Sequence, residues 1–368
     1  MATELRSVGD ADSLGAGMGR AVRWFGVLVS MIVLTAGCQS GSNPRGPVLP
    51  VRGEAATGLE VPWGLAFLPD GGALVAERDT ARILLVRRSG KPREVGQVSG
   101  VEAGGEGGLL GLAVSPDFER DRLVYAYYTT ARDNRIVRMR YQNGRLGAPE
   151  PILTGIPAGS RHNGGRILFG PDGCLYAATG ETGQQELAQE RDSLGGKILR
   201  MTRDGDPAPG NPYQGSVVYS YGHRNVEGLG FDSRGRLWAS EFGENTWDEL
   251  NLIRPGQNYG WPEVEGEADD DRYVNPVAVW RTDEASPAGI AIVDDVIWVA
   301  ALRGQRLWRV PIRGDGVGKP VGYFIERYGR LRTVAAASDG TLWLTTSNHD
   351  GRGDPRDGDD RILRVVVS

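Results

Sequence analysis

The sequence predicts an all-β fold, a six-bladed β-propeller formed as one domain over residues 51–368. Three observations predict it. One strand–turn–strand pattern recurs six times, at intervals of about 45 to 60 residues, the size of a propeller blade. The turns between strands carry Pro, Asp and Gly, which reverse a chain cheaply because Pro presets φ and Gly accepts positive φ. No segment has a convincing amphipathic helix of ordinary length, apart from a short turn near Gln185–Arg191. Composition agrees: Gly is 55 of 368 residues, hydrophobic residues are 40 % and charged residues 24 %. That is a globular chain with many tight turns. The Gly residues follow no G-X-Y period, which excludes collagen.

The six copies can be followed in order. Copy one runs Gly64–Phe67, turn Pro69-Asp70-Gly71, Ala73–Ala76, then Arg82–Val86. Copy two runs Gly111–Val114, turn Ser115-Pro116-Asp117, Leu123–Tyr128, then Arg135–Tyr141. Copy three runs Arg166–Phe169, turn Pro171-Asp172-Gly173, Leu175–Ala178 and, after an insertion, Lys197–Met201. Copy four runs Gly228–Phe231, turn Ser233-Arg234-Gly235, Leu237–Ser240, then Glu249–Ile253. Copy five runs Gly289–Ile292, turn Asp294-Asp295, Ile297–Ala300, then Arg306–Val310. Copy six runs Thr333–Ala336, turn Ser338-Asp339-Gly340, Leu342–Thr345, then Arg361–Val366. The second strand repeats an aromatic residue: Tyr176, Trp238, Trp298 and Trp343. A ring must close, and the segment Val51–Leu59 is placed to pair with the last blade.

The N-terminus has the form of an address. Arg20 and Arg23 precede an apolar run, Trp24–Ala36, shorter than the ~20 residues of a membrane span. It ends in Leu34-Thr35-Ala36-Gly37-Cys38, which resembles a bacterial lipobox. Residues 1–37 are then a lipoprotein signal peptide, Cys38 is the lipidated first mature residue, and residues 38–50 are a flexible tether. An ordinary secretory cleavage site with an incidental Cys is the alternative. Met18 is a second candidate start. The expected location is extracytoplasmic, lipid-anchored to the cell membrane. Two cysteines cannot form a disulfide framework, and Cys174, in a strand-like context, is expected to be buried and inert.

Charge narrows the partners. Lys and Arg number 42 and Asp and Glu 47, a net charge of −5. Nucleic-acid binding is not expected, since that function normally shows a basic footprint.

Propellers bind ligands where inter-strand loops converge on the channel, and several loops here are richer in polar residues than turns require. The chain has three His residues. His162 and His223 stand just before the first strands of copies three and four, each beside Arg and Asn, and His349 lies in an Asp/Gly-rich loop. The run Gly104–Gly111 lacks the Lys-Ser/Thr ending of a phosphate loop and leads into a strand. Its glycines, Gly107 and Gly108 among them, are expected to let backbone approach a flat ligand. The run Glu241–Glu249 is rich in oxygen, which suits a hard cation such as Ca2+ or merely a solvated acidic turn. Arg330 and Arg332 point to one side of an extended segment. With Arg224 and Arg303 they could form a receptor for a polyanion, since Arg pairs with carboxylates in bidentate fashion.

At these residues the chain resembles the glucose/sorbosone dehydrogenase family, soluble sugar dehydrogenases that use pyrroloquinoline quinone (PQQ), and especially its aldose-dehydrogenase branch. The resemblance runs from about Val61 to Val366. It is carried by Pro62–Phe67, Gly107–Gly111, His162 with Arg166–Phe169, Gly195–Arg200, Gly222–Asn225 with Gly228-Leu229, Asp248–Asn251 and Asn258–Pro262. The family fold is also a six-bladed propeller.

The resemblance implies an enzyme that oxidises aldoses to lactones, and it implies roles. His162 matches the general base that takes the anomeric hydroxyl proton, a task suited to a His near working pH. Arg224 matches the Arg that stabilises charge developing on the quinone oxygen. Asn225 matches a PQQ contact, and Arg330 and Arg332 match the pair that holds PQQ carboxylates. Arg303 stands where Lys is usual and Glu106 where Gln is usual. The carbonyls of Gly243 and Glu244 match ligands of the Ca2+ bound to PQQ. Glu249 and the Tyr259 carbonyl match a second, structural Ca2+, and Asp248 belongs to the same metal-associated segment. Arg161 replaces an acid found in glucose-specific members. The electron acceptor is external and unassigned. Two rivals remain at this point: a propeller lipoprotein that has lost PQQ and binds a cell-envelope ligand, and a Ca2+-dependent lactonase-like hydrolase.

Overall fold

A computed structural model of the chain describes residues 47–367. They form six antiparallel sheets arranged as the six blades of a propeller. The expected signal peptide, Cys38 and most of the expected tether lie outside the described residues. Of the tether, Pro47–Pro50 rests on the sixth and fifth blades: Pro50 O accepts the N–H of Val366 (2.8 Å) and Pro47 O that of Phe324 (3.3 Å).

Blade one is Pro62–Phe67, Ala73–Glu77, Arg82–Val86 and Arg93–Gln97. Each later blade begins with an innermost strand: Leu109–Val114, Ile167–Phe169, Val226–Phe231, Pro287–Val293 and Leu331–Ala336. Blades two and five carry an extra two-residue strand, Arg145–Leu146 and Gly316–Val317. The expected copies supplied three strands each, and the structure adds an outer fourth strand. In blade six that strand is the chain's own start: Val51–Ala56 pairs antiparallel with Ile362–Val366, with Val51 opposite Val365. This closes the ring.

The repeated Gly of the innermost strands has a packing cause. A Cβ on Gly111 would lie 2.1 Å from the Gly165 carbonyl of the next blade, and one on Gly228 would lie 2.3 Å from that of Ala288. Only glycine lets neighbouring innermost strands abut so closely. The repeated aromatic has a cause too. Trp343 meets Phe67 edge-on at 5.1 Å, Tyr125 meets Phe169 at 5.0 Å and Tyr176 meets Phe231 at 5.1 Å. In each pair a second-strand aromatic packs on the Phe that ends the next blade's innermost strand. Each such pair contributes about 0.5–1.5 kcal/mol beyond its buried area, so the seams between blades are stabilised as the cores within them are.

Two local expectations change. Gly107 and Gly108 pack closely on protein and do not line the cavity described below: Cβ atoms there would meet Thr129 Oγ1 (2.8 Å) and the Arg78 carbonyl (2.4 Å). Cys174 is half-buried at the end of a turn, one residue before the strand Leu175–Ala178, and burial raises its thiol pKa. The turn expected near Gln185–Arg191 is a 3-10 helix, Gln185–Ala188. Among the described residues no helix is long and apolar enough to cross a membrane.

Candidate active site

In an antiparallel blade the start of the innermost strand and the end of the second strand lie at the same end. The residues singled out in the sequence occupy these two loop sets. Glu106, His162, Arg224 and Arg330 precede innermost strands, while Gly243, Glu244 and Arg303 follow second strands. The loops converge on a cavity of about 450 Å3 that these residues line, together with Arg332 and Asp248. Asn225, Glu249 and Tyr259 are buried and do not line it.

His162 is buried, with its backbone at φ +53°. That left-handed conformation is uncommon outside Gly, and contacts on both sides hold it. Its N–H donates to Glu106 Oε2 (2.8 Å) and its carbonyl accepts the N–H of Thr182 (3.2 Å). Its ring Nδ1 is bound to Glu181 Oε1. A carboxylate acceptor fixes a proton on Nδ1, so in the neutral ring Nε2 is the nitrogen with the lone pair. His223, at the equivalent place one blade later, differs. Its Nδ1 pairs with Glu241 Oε2 (2.8 Å), its Nε2 with Ser220 Oγ (2.9 Å), and its ring stacks on Tyr259. With both nitrogens used and no exposure, His223 is structural. His349 is half-exposed, lies 3.5 Å from Asp360 and does not line the cavity.

Glu106 is paired on both oxygens. Besides the His162 N–H, its Oε1 meets Arg352 Nη1 at 2.8 Å. Burial pushes its carboxyl pKa up, but the His162 N–H and Arg352 hold it below the ordinary value. Its negative charge is thus compensated inside the protein.

Arg330 and Arg332 come together as expected, each held by an acid that sequence reasoning missed. Arg330 Nε donates to Asp350 Oδ2 (2.8 Å) and Arg332 Nη1 to Glu227 Oε2 (2.8 Å). Burial pushes Asp350 up, yet Arg332 and Arg330 bring it below its ordinary range. Burial also raises Glu227, against the pull of Arg332. Arg166 crosses from blade three to donate to Thr333 Oγ1 (3.1 Å), and it lies 4.3 Å over the Trp63 ring.

Arg224 Nη1 donates to the carbonyls of Gly243 (2.7 Å) and Phe242 (3.3 Å). Asn225 Oδ1 accepts the N–H of Gly164 (2.9 Å). Arg224 Nε and Asn225 Nδ2 are buried without a protein partner. Buried donors are rarely left so; Arg224 lines the cavity, where an oxygen-rich ligand would satisfy its Nε, whereas Asn225 does not reach it. Seven Arg and five acidic residues line the cavity, an excess of positive charge that suits a polycarboxylate. Arg161 and Arg303 are exposed at this cavity.

The residues expected at metal sites divide into two places. Asp248 gives both oxygens to backbone: Oδ1 accepts the Gly243 N–H (2.9 Å) and Oδ2 the Ser286 N–H (2.6 Å). It therefore braces the loop that carries the two carbonyls. Burial raises it to about 7. Glu249 lies opposite Glu241 on adjacent strands and accepts from Gly266 N–H (2.8 Å) and Asn251 Nδ2 (3.0 Å). Burial and the neighbouring Glu241 raise it to about 8. Among the described residues no group of three His, Cys, Asp or Glu side chains could hold a metal. A cation here would rest mainly on carbonyl oxygens, with at most one or two carboxylates.

Sequence reasoning missed Glu181, Glu227, Asp350, Arg352 and Glu265. A signal existed for the first. Glu77 and Glu241 end second strands and Glu181 follows one closely, so aligning the copies would have shown a Glu recurring beside the loop His residues.

The matching family model is that of glucose/sorbosone dehydrogenase, over residues 59–363. The PQQ-bound aldose sugar dehydrogenase of Streptomyces coelicolor is 57 % identical, with a TM-score of 0.86 over 88 % of this chain and 100 % of that one. The aldose sugar dehydrogenase of Escherichia coli is 29 % identical over 80 % of this chain and 89 % of its own. Quinoprotein glucose dehydrogenase B of Acinetobacter calcoaceticus is 35 % identical over 58 % of this chain and 53 % of its own.

Proposed function

The chain belongs to the glucose/sorbosone dehydrogenase family, and from that premise we propose that it oxidises aldoses at the anomeric carbon to lactones, with PQQ as cofactor. The observation that carries this is the setting of His162: Nδ1 is committed to Glu181, and the residue lines an Arg-walled cavity with Nε2 left for a substrate. A cavity of about 450 Å3 falls within the ~300–1,000 Å3 of small-molecule sites. The positive lining and the unpartnered Nε of Arg224 fit a flat tricarboxylate.

When bound, PQQ supplies the quinone that accepts the hydride. The protein's part is to bind, orient and move a proton. His162 Nε2 takes the proton of the anomeric hydroxyl as C1 becomes a carbonyl. Glu181 stabilises the imidazolium so formed. Arg224 offers a fixed positive charge where negative charge develops on oxygen. Arg303, Arg330 and Arg332 are the carboxylate-binding set, and Glu106 supports the base. The carbonyls of Gly243 and Glu244 are the ligands proposed for a Ca2+ beside the cofactor, and Glu249 with the Tyr259 carbonyl for a structural one. A lactonase-like site needs converging acidic side chains on a cation, which the described residues lack. Binding of PQQ, followed by its absorbance change, separates a dehydrogenase from a propeller that has lost the cofactor.

We further propose export and lipid anchoring through Cys38, supported by the short apolar run and the Leu34–Cys38 sequence. Mass spectrometry of the mature N-terminus tests it: a diacylglyceryl-Cys38 is expected, and an unmodified N-terminus elsewhere would refute it.

A further inference from the structure

The geometry points to Glu265 as the positioning residue that aims the Gly243 and Glu244 carbonyl oxygens into the cavity. This rests on the proposal that those two oxygens hold a hard divalent cation. Glu265 itself does not line the cavity. Its Oε1 accepts four successive backbone N–H groups, from Glu244 (2.6 Å), Asn245 (3.0 Å), Thr246 (3.1 Å) and Trp247 (3.2 Å). Consecutive amides folded around one anionic oxygen form a nest, and bonds to an ionised acceptor are the stronger kind.

The consequence follows from peptide planarity. In a trans unit the N–H and C=O point in opposite directions. The Gly243 carbonyl shares a plane with the Glu244 N–H, and the Glu244 carbonyl shares one with the Asn245 N–H. Drawing those two N–H groups onto Glu265 turns both oxygens away from it. The Gly243 oxygen accordingly faces Arg224 Nη1 at 2.7 Å, on the cavity side. Asp248 does the same one peptide earlier: it takes the Gly243 N–H, and the Phe242 oxygen turns to Arg224. The loop has no room for a side chain at its start. A Cβ on Gly243 would lie 1.9 Å from the Trp247 carbonyl and 2.7 Å from Glu265 Oε1. Two acids thus hold three peptide planes from their N–H side, and Glu265 holds the two whose carbonyls would ligate the cation.

The test uses the full chain and two variants, Glu265→Ala and Glu265→Gln. Amide hydrogen exchange is measured over residues 244–247 without added cation. Ca2+ binding is measured by calorimetry in the presence of PQQ. Glu265→Ala is expected to lose protection over 244–247 and to bind Ca2+ about 10–100-fold more weakly, as for other residues that orient metal ligands. Glu265→Gln keeps one acceptor oxygen and should fall between the two. Thermal unfolding confirms that each variant is folded, and if Glu265→Ala is not, Glu265→Gln decides. Wild-type protection in the variants overturns the assignment, as does lost protection with unchanged Ca2+ affinity. A wild-type protein that takes up no Ca2+ overturns the cation site and with it this role for Glu265. The exchange data then still report what holds the loop, so the two failures are told apart.

Discussion

Glu181 accepts the Nδ1–H of His162, and one blade later Glu241 does the same for His223. The propeller repeats the pairing but completes it only once: Ser220 occupies Nε2 of His223, whereas Nε2 of His162 remains available. The same dyad is structural in one blade and, in the mechanism proposed, chemical in the other.

His162→Ala should therefore lower kcat by at least about 10²–10⁴-fold, the usual worth of a general base, while PQQ still binds with its normal absorbance change. His223→Ala should instead lower the unfolding midpoint, because Glu241 is left buried without its partner. Steady-state kinetics beside thermal unfolding separate the two. Equal loss of turnover and cofactor binding in His162→Ala would refute its role as base.

Glu181→Gln keeps the shape and removes the charge. An amide facing Nδ1 no longer stabilises an imidazolium and can present the wrong group to the ring. The expected result is a fall in kcat of about 10²–10⁴-fold, with KM changed far less. A pure KM effect would show that Glu181 acts on substrate binding.

Much of this was legible in the sequence for a physical reason. Inner strands and tight turns have strong local signatures, so six blades could be counted, and nine expected residues line one cavity. The outer strands were not legible, because half-solvated segments such as Arg93–Gln97 lack a clear apolar alternation. The partners of the basic residues were hidden by distance along the chain. Arg332 meets Glu227 across 105 positions and Arg166 meets Thr333 across 167. Only ring closure brings those pairs together.

Asp350 gives a pH-dependent prediction. Its folded pKa is depressed below 3.8, so its stabilising contribution is present above that value and is lost as pH falls through the folded pKa. Asp350→Asn breaks a buried pair with Arg330, at a cost of about 3–5 kcal/mol. Denaturant midpoints should show the full difference from wild type at pH 6–7, narrowing toward strong acid. A difference that widens in acid would contradict the pairing.

The seams between blades predict a stability effect far from the cavity. Trp343 is fully buried against Phe67 where the last blade meets the first. Trp343→Ala should cost about 3–5 kcal/mol, read from denaturant unfolding. A loss below about 1 kcal/mol would mean that ring closure does not depend on this contact.

The most direct test of the central claim is reconstitution. The purified full chain is titrated with PQQ in the presence of Ca2+, and dye reduction is then followed with a panel of aldoses. The expected result is a saturable change in PQQ absorbance and aldose-dependent dye reduction that vanishes without PQQ. An unchanged PQQ spectrum and no dye reduction with any aldose would contradict the account.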